Sequence, residues 1–226
     1  MNGSLTQSIA EVRSRMTQAC ERSLRNPSSV QLLLATKTVD PSRIREAFHA
    51  GVACMGENRV QELLEKLPSL SDLPIEWHFI GQLQSNKVKS LLPHVKLIHS
   101  LDRLSLAEEI QKQAEKLSLE VNVLIEINTS GESSKGGVPP SELENMISKL
   151  KSFPRVHVQG IMTVPVDGSE AEVRRCFQTA KELLDEHRSQ LGEGILSMGM
   201  SGDFEWAIEE GSTLIRVGST VFGKRS

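Results

Sequence analysis

Residues 30–55 read VQLLLATKTVDPSRIREAFHAGVACM, and this stretch holds the unit whose repetition decides the fold. The apolar, partly β-branched run 30–36 reads as a strand. Asp40-Pro41 then supplies an N-cap with proline at the first helical position. Ile44, Ala47 and Phe48 share one helical face, and Gly51 marks the stop. A second apolar run, 52–55, follows at once.

The same alternation continues outward from this unit. Further strand-like runs stand at 75–80, 96–99, 121–127, 156–161, 195–199 and 213–217. Between them, Leu104, Ala107, Ile110, Ala114 and Leu117 keep helical spacing, and Ser169 with Glu172 forms a capping-box pattern ahead of Val173, Phe177, Ala180 and Leu184. Residues 5–24 make one more helix before the first strand. Strands alternating with helices predict a parallel sheet with right-handed crossovers. Eight such repeats predict an α/β fold of the closed (β/α)8, TIM-like type with an extra N-terminal helix. An open doubly wound sheet is the competitor, weakened in its dinucleotide-binding form because no GxGxxG opens the first strand-helix turn. No linker, low-complexity tract or charge block divides the chain, so one domain over 1–226 is expected.

Composition narrows the function classes. The 226 residues carry 26 Lys+Arg against 29 Asp+Glu, a formal net charge of -3, which excludes a broadly cationic nucleic-acid or membrane binder. Cys20, Cys54 and Cys176 form no CxxC pair and no metal-ligand spacing, which argues against a disulfide scaffold and a structural zinc site. The start, MNGSLTQSIAEVRSR, lacks the apolar core of a signal peptide, and no run approaches a membrane span. A soluble cytoplasmic protein is the expectation. Tyrosine is absent.

In a barrel of this kind the chemistry belongs at the C-terminal ends of the strands. Leu33, Ala35 and Lys37 alternate onto one face, so Lys37 stands in line with two core residues. Either it snorkels to solvent, or burial lowers its pKa and yields the neutral amine that attacks an aldehyde. Gly199-Met200-Ser201-Gly202-Asp203 follows the seventh strand and Arg216-Val217-Gly218-Ser219-Thr220 closes the eighth. Loops at these two strands are the usual phosphate-binding place of the fold. Each alone is also compatible with an ordinary turn; together Ser201, Gly218, Ser219 and Thr220 describe an anion cup. Arg216 shares a face with Leu214, so it either pairs with an internal carboxylate or meets a ligand in the barrel mouth. A lysine and a phosphate cup on opposite sides of one mouth describe pyridoxal 5'-phosphate (PLP), with Arg216 facing the pyridine nitrogen.

Four segments then carry a family resemblance: GENRVQE at 56–62, HFIGQLQSNK at 78–87, LSMGMSGDFEWAI at 196–208 and RVGSTVFG at 216–223. Over essentially its whole length the chain resembles the pyridoxal 5'-phosphate homeostasis proteins, whose fold is similar to the barrel domain of alanine racemase, a fold type III PLP protein, without that enzyme's second domain. The lysine segment here is LATKT, where the family more often has a Val-Ser-Lys-Thr version. The resemblance implies that Lys37 forms a Schiff base with the cofactor aldehyde and that Ser201, Gly218, Ser219 and Thr220 hold the phosphate. It further implies that Arg216 contacts the ring nitrogen and that Asn58 sits beside the ring. His78 reads as a satisfied core histidine, Ser133–Gly137 as a solvated loop rather than a basic lip, and Met198 and Met200 as core or cofactor packing.

A bound cofactor does not by itself make an enzyme. Arginine against the pyridine nitrogen disfavours ring protonation and weakens the electron sink. Alanine racemase works with a lysine and a tyrosine on opposite substrate faces, and a chain without tyrosine excludes that two-base design; Cys54 or His78 remain as replacement bases. The expected function is therefore a carrier that buffers PLP, takes part in intracellular vitamin B6 and amino-acid homeostasis, and passes the cofactor transiently to apoenzymes. The family suggests a monomer. The alternatives are a PLP-dependent racemase or lyase acting on an unidentified amino acid, and a barrel enzyme for another phosphorylated metabolite.

Overall fold

The computed structural model describes residues 4–132 and 135–223. Eight parallel strands close into a barrel in sequence order, β1 (Gln31–Ala35), β2 (Cys54–Glu57), β3 (Glu76–Phe79), β4 (Leu97–Leu101), β5 (Val121–Ile127), β6 (Val156–Thr163), β7 (Ile195–Ser197) and β8 (Leu214–Val217), with β8 pairing back onto β1. The helices are α1 (Leu5–Arg22), α2 (Pro41–His49), α3 (Val60–Leu70), α4 (Val88–Leu91), α5 (Leu104–Leu117), α6 (Leu143–Leu150), α7 (Glu170–Glu186), α8 (Phe204–Glu209) and α9 (Ser219–Phe222). The closed barrel, not the open sheet, is the architecture. Among the described residues no helix is long and apolar enough to cross a membrane.

Local signals and structure agree where the chemistry is local. Asp40 accepts from the Ser42 amide at the start of α2, and Gly51 just past its end has φ 86, the left-handed conformation that suits glycine. The reciprocal Ser169–Glu172 capping box opens α7. The extra helix α1 packs on the outer ring, where Arg15 and Arg22 pair with Glu205 and Glu209 of α8.

Strand β2 departs from the sequence expectation by two residues, running over 54–57 instead of 52–55. The apolar run misplaces it because pairing continues through Gly56 and Glu57. Gly56 faces the barrel interior, where an added Cβ would lie 2.6 Å from Leu33 and 3.1 Å from Ile80. Glu57 is tolerated in a fully buried strand because α3 delivers Lys66 to it.

Strand alternation divides the core in two. Trp77 and Phe79 of β3 join the large apolar layer between sheet and helices, while His78 between them faces inward. The interior is filled by small apolar groups, Leu33, Cys54 and Leu214 in one and Leu97, Leu124 and Met162 in the other. Polar residues of the inward face occupy the rest, and they lead to the barrel mouth.

Candidate functional site at the barrel mouth

A cavity of about 850 Å³ opens at the C-terminal ends of the strands. Lys37, Asn58, Ser201, Arg216, Gly218 and Ser219 all line it, so residues scattered over most of the chain converge on one space. Thr220 does not line it. Its amide and hydroxyl reach Ser201 instead, at 3.4 Å to Oγ and 3.4 Å to the carbonyl oxygen.

Lys37 follows β1 and is half-buried. Its neighbours on both sides are tied down. The Thr36 hydroxyl donates to Glu57 Oε1 at 2.7 Å, the Thr36 carbonyl accepts from Lys66 Nζ at 2.8 Å, and the Thr38 amide donates to Glu62 Oε1. Thr38 has φ 61, a left-handed conformation unusual for a β-branched residue. Lys66 also bonds both Glu57 and Glu62 at 2.6 Å, so one ammonium organises the whole turn. This network was not legible in the sequence: Lys66 shares the buried face of α3 with Val60, Leu63 and Leu70, and nothing in that local pattern names Glu57 as its partner.

The neighbouring wall is built from the ends of β7 and β8; because β8 pairs with β1, the cup stands beside Lys37 and not across the mouth from it as expected. Ser201 Oγ accepts from the Gly218 amide at 3.2 Å, which ties the two loops into one cup with the first turn of α9. A Cβ on Gly218 would stand 3.2 Å from the Ala35 carbonyl, so glycine allows the eighth loop to approach the end of β1. Asp203 occupies the N-cap position of α8 without a side-chain cap bond; its Oδ1 instead accepts from the Met200 amide at 2.5 Å and fixes the seventh loop from within. Met198 is in the core, and Met200, one of the few exposed large apolar residues, lines the cavity.

Arg216 is 5% exposed and donates to Ser197 Oγ at 2.7 Å and the Thr163 carbonyl at 3.0 Å. Burial lowers its pKa to about 10, against the pull of Asp203 and Glu126. It makes no direct carboxylate pair among these contacts; its charge is balanced across space. Glu126, on β5, lines the same cavity, and burial together with nearby Asp102 pushes its carboxyl up to about 7. This residue was missed too. Its signal was available: a carboxylate two places from Leu124 on the inward face of a strand that, Asn122 aside, is apolar.

Two expectations sharpen here. His78 is a buried interior histidine bonded to His99 at 2.9 Å and lies outside the cavity lining. The loop after β5 is not freely solvated as expected. Lys135 Nζ donates to the Pro165 carbonyl at 2.8 Å, Asn128 holds the Lys135 carbonyl, and Gly136 packs beside Gln82 and Glu126. Ser133 and Ser134 lie outside the described residues, as do Lys224 and Arg225.

The donor set fits PLP. A primary amine from the turn after β1, hydroxyls from the loops after β7 and β8, and a guanidinium from β8 line one cavity. Asn58 adds a buried Oδ1 with no partner among the described residues, an acceptor on the cavity wall that awaits a donor.

Comparison with known proteins places this geometry. The family model for the alanine racemase N-terminal domain matches residues 15–226. The pyridoxal phosphate homeostasis protein of Aquifex aeolicus is 48% identical over 221 residues, covering 96% of each chain. PipY of Synechococcus elongatus, in a structure with PLP bound, aligns with TM-score 0.85 at 34% identity over 97% of this chain and 100% of its own. Alanine racemase from Corynebacterium glutamicum shares the fold, with TM-score 0.72 at 16% identity, over 97% of this chain and 62% of its own. By these matches, and by the lysine, hydroxyl cup and arginine gathered at one barrel mouth, the chain belongs to the pyridoxal phosphate homeostasis protein family within the alanine racemase N-terminal domain fold.

Proposed function

We propose that the protein binds PLP in the barrel mouth, holds it through Lys37, and acts as a carrier that buffers the cofactor and yields it to apoenzymes. The observation that carries this reading is the meeting of Lys37, Ser201, Gly218, Ser219 and Arg216 around one cavity of cofactor size. The name of the Aquifex relative and the PLP bound in PipY support it.

PLP supplies an aldehyde that condenses reversibly with a primary amine. Lys37 provides that amine on a turn whose two flanking residues are fixed by Glu57, Glu62 and Lys66. The Ser201 and Ser219 hydroxyls offer donors of the kind a phosphate requires, and the Gly218 and Thr220 amides hold the Ser201 oxygen in place. Arg216 stays cationic at neutral pH and so opposes a second positive charge on a ring nitrogen beside it. Hydrolysis or exchange with a small amine would free the cofactor again. A monomer suffices for every step, and the cytoplasm, with its PLP-dependent apoenzymes, is the matching compartment.

A near-ultraviolet and visible spectrum tests the reading. Wild-type protein mixed with PLP should acquire the absorption of a Schiff base, and Lys37→Ala should lack it while still folding. No such band in the wild type would refute PLP carriage.

One observation favours a residual acid–base activity as a second reading. Glu126 lines the cavity with a carboxyl held at about 7, close to the working pH of a general acid or base. The two-base racemase design remains excluded by the absence of tyrosine. Deuterium exchange at the α-carbon across the common amino acids separates the readings. Exchange that is rapid in the wild type and lost in Glu126→Gln would establish catalysis; none would leave the carrier.

A further inference from the structure

The interior of the barrel holds a line of polar side chains that the cofactor site itself does not explain. Arg216 donates to Ser197 Oγ at 2.7 Å. Ser197 Oγ lies 3.0 Å from His99 Nδ1, His99 Nε2 lies 2.9 Å from His78 Nδ1, and His78 Nε2 lies 3.3 Å from Glu76 Oε1. All of these side chains except Glu76 are buried, and Glu76 reaches the opposite end of the barrel, where Lys96 pairs with its other oxygen at 2.7 Å. The line thus joins the mouth to the floor.

Its direction follows from which groups can donate. A carboxylate only accepts, so His78 Nε2 must carry a proton toward Glu76. Both rings are neutral at pH 7: burial lowers His78 to about 4, and burial with the nearby His78 and Arg216 takes His99 well below the ordinary histidine range. A neutral His78 protonated on Nε2 has a bare Nδ1, so His99 must donate to it from Nε2. The bare Nδ1 of His99 then accepts the Ser197 hydroxyl proton, and Ser197 oxygen accepts from Arg216. Arginine can only donate, so the same order results when the line is read from the other end.

We propose that Ser197, His99 and His78 form a one-way hydrogen-bond relay anchored on Glu76, whose task is to fix the Arg216 guanidinium at the cofactor site. This rests on the PLP-binding reading above. These are positioning residues, acting through Arg216 and not on the cofactor. With the Thr163 carbonyl taking another of its N–H groups, the guanidinium is held from two directions, and its plane relative to the cavity is set by the relay. Cys54 Sγ, 3.7 Å from His78 Nε2, is a weak side partner, and its burial pushes the thiol up so that it stays protonated.

The ring nitrogens report the relay directly. In wild-type protein without PLP at pH 7, ¹⁵N-resolved NMR should show His78 and His99 each protonated on Nε2 alone. Glu76→Gln and Glu76→Leu should each preserve that pattern, because Arg216 sets the same order from the mouth end, whereas Glu76→Leu combined with Ser197→Ala, which removes both ends of the line, should abolish the exclusive Nε2 protonation of His78. Ser197→Ala should weaken PLP affinity about tenfold, the scale of one lost hydrogen bond to a charged group, with the Lys37 absorption still forming at higher PLP. Protonation of either wild-type ring on Nδ1, or a charged ring, would overturn the relay, and so would wild-type affinity in Ser197→Ala. If the wild type takes up no PLP, the carrier reading fails on its own, while the two ring tautomers still decide whether the relay exists.

Discussion

Lys66 Nζ lies 2.6 Å from Glu57 Oε1, an ion pair buried under the turn that presents Lys37. The pair spans α3 and β2, and the Thr36 hydroxyl completes it from the turn just past β1. Burial raises the Glu57 carboxyl, while the bonds from Lys66 and Thr36 pull it back down. The second oxygen of Glu57 has no partner among the described residues, so the carboxylate depends heavily on this one ammonium.

Lys66→Met should therefore destabilise the fold by about 3–5 kcal/mol, because it strands a buried carboxylate. Pairing it with Glu57→Gln should recover a substantial part of that loss. Urea denaturation of the single and double variants checks both statements; equal stability of Lys66→Met and wild type would show that the pair contributes nothing.

Gly81 faces Asn58 so closely that a Cβ there would lie 2.2 Å from the Asn58 carbonyl oxygen. No side-chain rearrangement relieves a clash with backbone. Gly81→Ala should cost about 1–3 kcal/mol in thermal or chemical unfolding and reduce PLP retention on dialysis by moving Asn58. Retention at the wild-type level would separate Asn58 from the site.

Ser201 and Ser219 sit on the cavity wall, and neither belongs to the buried core. The double change Ser201→Ala, Ser219→Ala should lower PLP affinity by roughly tenfold or more, since hydrogen bonds to a charged phosphate are the strong ones. The melting temperature without PLP should shift far less. Unaltered affinity, measured by equilibrium dialysis, would place the phosphate elsewhere.

Glu126 gives a pH signature. Its folded-state pKa is raised from 4.5 to about 7, so the folded protein favours the protonated carboxyl. The associated stability is fully present below the ordinary carboxyl value and is lost as pH rises through about 7. Wild-type stability minus that of Glu126→Gln should therefore fall by roughly 3 kcal/mol between pH 4.5 and 7.5 and then level off. Parallel pH–stability curves for the two proteins would mean that the carboxyl is not perturbed.

Legibility in the sequence tracked the range of the interaction. Asp40, Gly51, Ser169 and Glu172 act within a few residues of themselves, and each was readable. Strand alternation placed Arg216 on the face of Leu214 and His78 opposite Trp77 and Phe79, so inward-facing polar residues were identifiable one at a time. Their partners were not: Arg216 meets Ser197 and Thr163, and His78 meets His99, across strands whose pairing no local pattern specifies.

The sequence by itself determined the repeating strand-helix alternation and the absence of tyrosine, and it carried the resemblance from which Lys37, Asn58, Ser201, Arg216 and the eighth loop were expected at one barrel mouth. Periodicity is a property of neighbouring residues, and it tells which face of a strand a side chain takes. Only the tertiary structure decided that β2 runs through Glu57, that Glu126 shares the cavity, that Thr220 braces the cup from outside, and that His99 joins Ser197 across 98 positions of chain. Closing the barrel sets which inward-facing groups meet, and burial there makes an unpaired charge costly enough that each one must find its partner.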